Sequence, residues 1–177
     1  MSPGVVVLPM RADQWRELRA VRLEMLAESP LAYIESLRSA RALPDAEWQE
    51  RARRYTAAPS LNLVAVDSTV DSSVDSDGRW VGTMSGYVDE SAGRAWLAAV
   101  HVAPDHRGRG PGIADALLDG IEDWARRNGR PQLWLEVHED NLRAHRFYLR
   151  RGYEFTGATR PYELDPTRLE REMVRAL

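Results

Sequence analysis

The stretch Arg107-Gly108-Arg109-Gly110-Pro111-Gly112 decides how this chain is read, because a strand pattern runs into it and a helix pattern runs out of it. Before it, Arg94 to Val102 is rich in aromatic and β-branched residues. After it, Ile113, Ala114, Leu117, Leu118, Ile121 and Trp124 recur at helical spacing. A glycine-rich turn in that context suits a phosphate. Glycines let the backbone approach an anion closely, and the first N–H groups of the helix are unpaired donors at the positive end of its dipole. Arg107 and Arg109 add formal charge. The hexapeptide alone reads equally well as a tight turn with solvated arginines, so its surroundings decide.

Downstream, the helix stops at Asn128-Gly129, a left-handed cap signal, and Leu133 to Val137 follows as a strand, which completes a βαβ unit. Asn141 to Arg151 reads as a helix closed by Gly152, with Tyr153 to Thr156 and Leu169 to Arg175 as the last strands. Upstream, Trp80 to Val88 and Arg94 to Val102 form an antiparallel hairpin across residues 89–93. Asp13 is positioned to cap a helix whose apolar positions are Trp15, Leu18, Val21, Met25 and Leu26, ending near Ser29-Pro30. A second helix starts at Pro44-Asp45 and runs to about Tyr55, and Leu61 to Val66 reads as a short buried strand. Residues 31–43 carry no clear pattern. Residues 67–78 repeat Val-Asp-Ser units, too acidic and too poor in apolar groups to order themselves, and are expected to form a flexible loop. The whole chain, 1–177, is expected to be a single α/β domain with a mixed sheet flanked by helices.

Composition narrows the function classes. A chain of 177 residues with 44% hydrophobic content and 6 tryptophans can build one sizeable core. It has no cysteine, which removes disulfides, a thiolate nucleophile and cysteine-ligated metals. All 24 basic residues are arginines, which excludes a lysine Schiff base and the Gly-Lys-Ser/Thr phosphate loop. The four histidines, 101, 106, 138 and 145, have no zinc-ligand spacing, and no metal is expected. Met1 to Met10 is broken by Pro3 and Pro9, and no apolar run approaches the ~20 residues of a membrane span, so a cytoplasmic protein without a membrane partner is expected. A net charge of −3 argues against a nucleic-acid partner and leaves a cationic small substrate open.

About thirty residues beyond the first motif, Asn141-Leu-Arg-Ala144-His-Arg-Phe147-Tyr148-Leu-Arg-Arg-Gly152-Tyr153 gives a second. With Arg107, Gly110 and Gly112 filling the pattern Gln/Arg-x-x-Gly-x-Gly/Ala, the two resemble the GCN5-related N-acetyltransferase (GNAT) superfamily in order and spacing. The resemblance covers residues 80–157 closely and the N-terminal helices loosely. It implies the GNAT fold, a mostly antiparallel sheet of six to seven strands flanked by about four helices, with a splayed pair of parallel strands.

It also implies acetyl-CoA as co-substrate. The amides of Gly108, Arg109, Gly110, Gly112 and Ile113 would hold the pyrophosphate, aided by Arg107 and Arg109. Pro111 departs from the usual aliphatic residue and removes one donor. Val100 and Val102 would lie beside the pantetheine arm, with the Val100 N–H as oxyanion donor. Asn141 would either cap its helix or contact that arm directly. Tyr148 matches the family's general acid, a neutral phenol able to protonate the departing thiolate. Several members use a strand glutamate as base, but Trp96 stands there in this chain. Glu136 is the first alternative, with His101, His138 and Glu35 behind it.

Two rivals deserve weight. A dinucleotide-binding unit would need the third glycine of Gly-x-Gly-x-x-Gly, where Ile113 or Asp115 stands, and a doubly wound sheet beyond it. A non-catalytic acyl-CoA sensor on the same fold is opposed by the retained Tyr148. The expected reaction is acetyl transfer by direct attack to a primary amine of a small molecule, with a protein N-terminus or lysine as the alternative acceptor. Acidic residues at Glu35, Glu90, Glu139, Asp140 and Glu163 favour a cationic amine and are equally explained as solvated surface. The oligomeric state is not legible in the sequence, though a homodimer is common in the family that it resembles.

Overall fold

In a computed structural model, residues 4–69, 78–108 and 112–177 are described. The elements run β1 (Val5–Pro9), α1 (Trp15–Glu28), α2 (Leu37–Arg41), α3 (Asp45–Thr56), β2 (Leu61–Asp67), β3 (Arg79–Asp89), β4 (Arg94–Val102), α4 (Ile113–Arg127), β5 (Gln132–His138), α5 (Leu142–Arg150), β6 (Glu154–Tyr162) and β7 (Asp165–Ala176). Pro30–Ala32 and Pro104–His106 are single 3-10 turns. The expectations for Arg109, Gly110 and Pro111, and for residues 70–77 of the acidic segment, lie outside the described residues. Asp67 is not loop but the last residue of β2, held by Thr69 and His106.

The strands form one 7-stranded sheet in the order β1-β2-β3-β4-β5-β7-β6, in which only β4 and β5 run parallel. This is the mixed, mostly antiparallel sheet that the resemblance implied. A doubly wound parallel sheet is thereby ruled out.

Strand alternation builds a core on each face. Along β2, Leu63 and Ala65 point towards α4 while Val64 and Val66 point towards α1 and α3. On one side, α4 contributes Leu117, Leu118 and Ile121, none with exposed surface, each stabilising by roughly 2 kcal/mol on burial. Gly86 of β3 permits this approach, since a Cβ there would sit 2.6 Å from the Trp124 ring. On the other side, the buried residues of α1 are Trp15, Leu18, Val21, Met25 and Leu26, as the periodicity predicts. They pack with Trp48 of α3 and Trp80 of β3.

Several boundaries differ from expectation. The residue before α1 is Gln14 and not Asp13; Gln14 Oε1 accepts the Arg11 N–H, and Asp13 pairs with the Arg11 guanidinium instead. Strand β1 was not anticipated, and β6 and β7 extend through residues expected to form a loop. Gly129 and Gly152 take left-handed φ values of 67° and 83° behind α4 and α5, as cap signals require.

Candidate active site

The parallel pair opens almost as soon as it forms. Register is kept only at Ala95 with Leu133 and Trp96 with Trp134, and beyond these β4 and β5 part. A cleft of about 460 Å³ lies there, lined by Leu97 to Val102, Glu136 to His138, the start of α4 and one side of α5. Backbone groups freed by such a split need partners, and a ligand lying between the strands can supply them.

Strand β4 carries a bulge at this point. Its register with β3 jumps from Ala98 opposite Ser85 to His101 opposite Thr83, so Ala99 and Val100 face Met84 alone. Ala99 sits at φ 51°, a left-handed conformation that an L-residue with a Cβ resists. The Tyr33 hydroxyl donates to the Val100 carbonyl at 2.9 Å and pins the bulge from outside the sheet. Burial pushes the Tyr33 phenol up to about 12. The Tyr33 carbonyl in turn accepts from the Tyr162 hydroxyl at 2.7 Å, with the Pro30 carbonyl at 3.2 Å. Neither tyrosine was singled out from the sequence, because each stands alone in a weakly patterned segment.

Tyr148 of α5 is buried against Phe147 and Tyr153 and lines the cleft, and its hydroxyl has no hydrogen-bond partner among the described residues. Burial raises its phenol well above the ordinary value, so it is neutral across the usual pH range. Asn141 caps α5, its Oδ1 accepting the Ala144 N–H at 3.2 Å, while the residue also lines the cleft. Capping and cleft position thus coexist, and the amide NH₂ is left over.

At the start of α4, Gly112 and Ile113 reach the cleft. The first helical bond runs from the Ala116 N–H to the Gly112 carbonyl, which leaves the N–H groups of residues 113 to 115 without helical partners. The Gly112 N–H donates to Asp115 Oδ2 at 3.1 Å, so that one donor is already engaged. Gly108 lines the cleft with open space where a Cβ would stand. Arg107 is tied more tightly than expected. Its Nε donates to the Val102 carbonyl at 2.6 Å and its two Nη atoms grip Glu28 at 2.8 Å each, holding the Glu28 carboxyl down at about 2.

The base candidates separate clearly. Glu136 lines the cleft, and Arg160 Nη2 lies 2.7 Å from its Oε2. Burial pushes its carboxyl up, Glu170 and Glu172 add to the shift, and Arg160 opposes it. His101 is buried beside Glu24 at 3.8 Å, and burial lowers its pKa. His138 does not suit the role: its Nδ1 accepts the Asp140 N–H at 3.1 Å, which puts the neutral ring's proton on Nε2 and leaves no free lone pair. Glu35 is also set aside, since it is clamped between Arg22 at 2.9 Å and Arg51 at 2.8 Å and does not line the cleft. Trp96 stands at the point of the split with its ring 6.3 Å from that of Trp134. Among the described residues no group of three or more histidine, aspartate or glutamate side chains is arranged to hold a metal. No helix among them is long and apolar enough to cross a membrane.

The model of the acetyltransferase (GNAT) family matches residues 28–153. The chain belongs to the GNAT family. Similar solved structures include a GCN5-related N-acetyltransferase from Kribbella flavida, 25% identical, with 99% of this chain and 100% of that one covered and a TM-score of 0.73. The yncA protein of Salmonella typhimurium, solved with its cofactor acetyl-CoA, is 16% identical over 98% of this chain and 94% of that one, with a TM-score of 0.73. Nourseothricin acetyltransferase is 26% identical over 66% of this chain and 65% of that one, with a TM-score of 0.55. Acetyl-CoA is the cofactor held by the yncA protein, and the resemblance of the two motifs implies it for this chain. The residues present fit it: a long channel between parted strands, unpaired N–H groups at the start of α4, and open space around Gly108.

Proposed function

We propose that the protein transfers the acetyl group of acetyl-CoA to a primary amine of a small cationic molecule by direct attack. The observation that carries this reading is that the uncommitted Tyr148 hydroxyl and the Val100 bulge line the same cleft. The amine nitrogen attacks the thioester carbonyl carbon, the N–C bond forms and the C–S bond breaks. The Val100 N–H donates to the carbonyl oxygen as negative charge builds on it, a contribution of ~3 kcal/mol in comparable sites. Tyr148 gives its proton to the leaving thiolate and regains one from solvent. Burial keeps the phenol protonated, so it is available to donate.

Glu136 takes the proton that the amine loses. Its burial raises its basicity towards that task, and Arg160 holds the carboxylate in place. The N–H groups of Gly108, Arg109, Gly110 and Ile113 and the side chain of Arg109 bind the pyrophosphate, with Arg107 supporting them from its place on Glu28. Asn141 and Val102 contact the pantetheine arm. A small acceptor is supported by the partial likeness to nourseothricin acetyltransferase, and a cationic one by the Glu136 carboxylate that lines the cleft.

The test is an acceptor panel of polyamines, aminoglycosides and lysine or N-terminal peptides, read by thiol release, run on the native chain and on Tyr148→Phe. Turnover on a small cationic amine is expected, with kcat in the variant down at least about 100-fold and acetyl-CoA binding nearly unchanged. Turnover on peptides alone would overturn the small-molecule reading. Coenzyme binding without turnover on any amine would make the protein a sensor.

A further inference from the structure

The α5 helix carries Arg143, Arg146 and Arg150, and all three line the cleft. Their spacing of three and four residues sets them along one helix face, over about 10 Å at 1.5 Å per residue. Like charges so placed repel one another, by a few tenths of a kcal/mol per pair, unless anions compensate them. Arg150 has such a partner in Asp115, 2.9 Å away at the start of α4. Arg143 and Arg146 have no hydrogen bond or ion pair among the described residues, in a chain whose Asp and Glu number 27 against 24 arginines. The negative charge of Glu28, which feels Arg143 across the cleft, is already taken by Arg107 through both of its oxygens.

Two exposed cations facing a cofactor cleft without a protein partner call for an anion on the cofactor. Coenzyme A offers a diphosphate and, one ribose away, a 3′-phosphate monoester carrying up to two charges. The diphosphate has the N–H groups at the start of α4. Arg150 marks that end of the stripe through Asp115, and Arg146 stands about one helical turn, ~5 Å, further along. We propose that Arg143 and Arg146 form a subsite for the 3′-phosphate of coenzyme A, so that the enzyme distinguishes coenzyme A from pantetheine thioesters that lack that group. This rests on the reading that puts the diphosphate at the start of α4.

The experiment compares binding of coenzyme A and 3′-dephospho-coenzyme A by titration calorimetry at fixed ionic strength, using the native protein and the double variant R143Q/R146Q. Both arginines are exposed, and the thermal midpoint of the variant checks that it folds. The native protein is expected to prefer coenzyme A by at least about tenfold, and the variant to bind the two compounds within about threefold of each other. Equal binding of both compounds by the native protein would overturn the proposal. So would a variant that retains the native preference, because the 3′-phosphate would then be held elsewhere. If the native protein bound neither compound, the reading of the cleft itself would fail and the subsite with it.

Discussion

Replacing Tyr33 by Phe removes a single oxygen from a buried hydrogen bond and tests whether the β4 bulge is held for chemistry or only for packing. The side chain is 9% exposed, and its hydroxyl is the donor to the Val100 carbonyl at 2.9 Å. Leaving a buried carbonyl unsatisfied costs about 1 to 2 kcal/mol, which for a chain of this size lowers the thermal midpoint by roughly 2 to 8 °C. The same peptide segment presents the Val100 N–H proposed as the oxyanion donor. A donor removed outright forfeits ~3 kcal/mol, and one merely loosened forfeits less, so kcat should fall by about tenfold. The acetyl-CoA KM should stay within about threefold, because the pyrophosphate end is untouched. Steady-state thiol release with saturating amine, read beside a thermal melt, measures both. Tyr162→Phe serves as the control: it loses the bonds to the Tyr33 and Pro30 carbonyls but leaves the bond to Val100, so it should lower stability similarly and kcat less. A Tyr33→Phe protein with the expected loss of stability and kcat within twofold of native would refute the link between Tyr33 and the donor.

Glu28→Gln should lower stability at neutral pH by about 1 kcal/mol, a figure discounted because the pair is partly exposed. Since the folded state holds the Glu28 carboxyl at about 2 against an ordinary 4.5, its contribution is complete above 4.5 and is lost as pH falls through that window. Denaturant melts of native and variant should therefore converge there, and a constant gap would show that Arg107 does not act through the charge. Glu136→Gln should lower kcat/KM by about 100-fold with an amine acceptor and flatten the acidic limb of its pH profile, a limb that burial sets above the ordinary carboxylate range. An unchanged limb would pass the role of base to water or to His101.

What could be read from the sequence was whatever is encoded locally. The apolar stripes of α1 and α4 recur at helical spacing, and all the residues that form them are buried except the half-buried Ala114. The stops at Gly129 and Gly152 follow from backbone geometry that glycine adopts freely. Strand β1 could not be read in this way. Five residues ending in proline become a strand only because Val5 to Leu8 find Asp67 to Val64 as partners. The β6–β7 hairpin was hidden for another reason. From Thr156 to Thr159 every residue is exposed, so no alternation of buried and exposed positions marks the strand. Glu35 looked available among the acids, but two arginines, one from α1 and one from α3, close on it in the fold.

The Tyr33 side of the cleft illustrates the same limit and gives it a mechanical consequence. Tyr162 at the end of β6 bonds to the carbonyls of Pro30 and Tyr33, and Tyr33 bonds to Val100 in the β4 bulge. Three segments far apart in sequence are thus joined by hydrogen bonds whose signal exists only once they meet. Neighbouring bonds in such a buried chain polarise one another, so a change at one end is felt at the other. The 30–33 turn, the end of β6 and the peptide proposed to hold the acetyl oxygen are therefore one connected unit. Substitutions in the 30–33 turn or at Tyr162 should consequently alter kcat together with acceptor KM, whereas substitutions along the Arg143 and Arg146 stripe should move coenzyme binding alone.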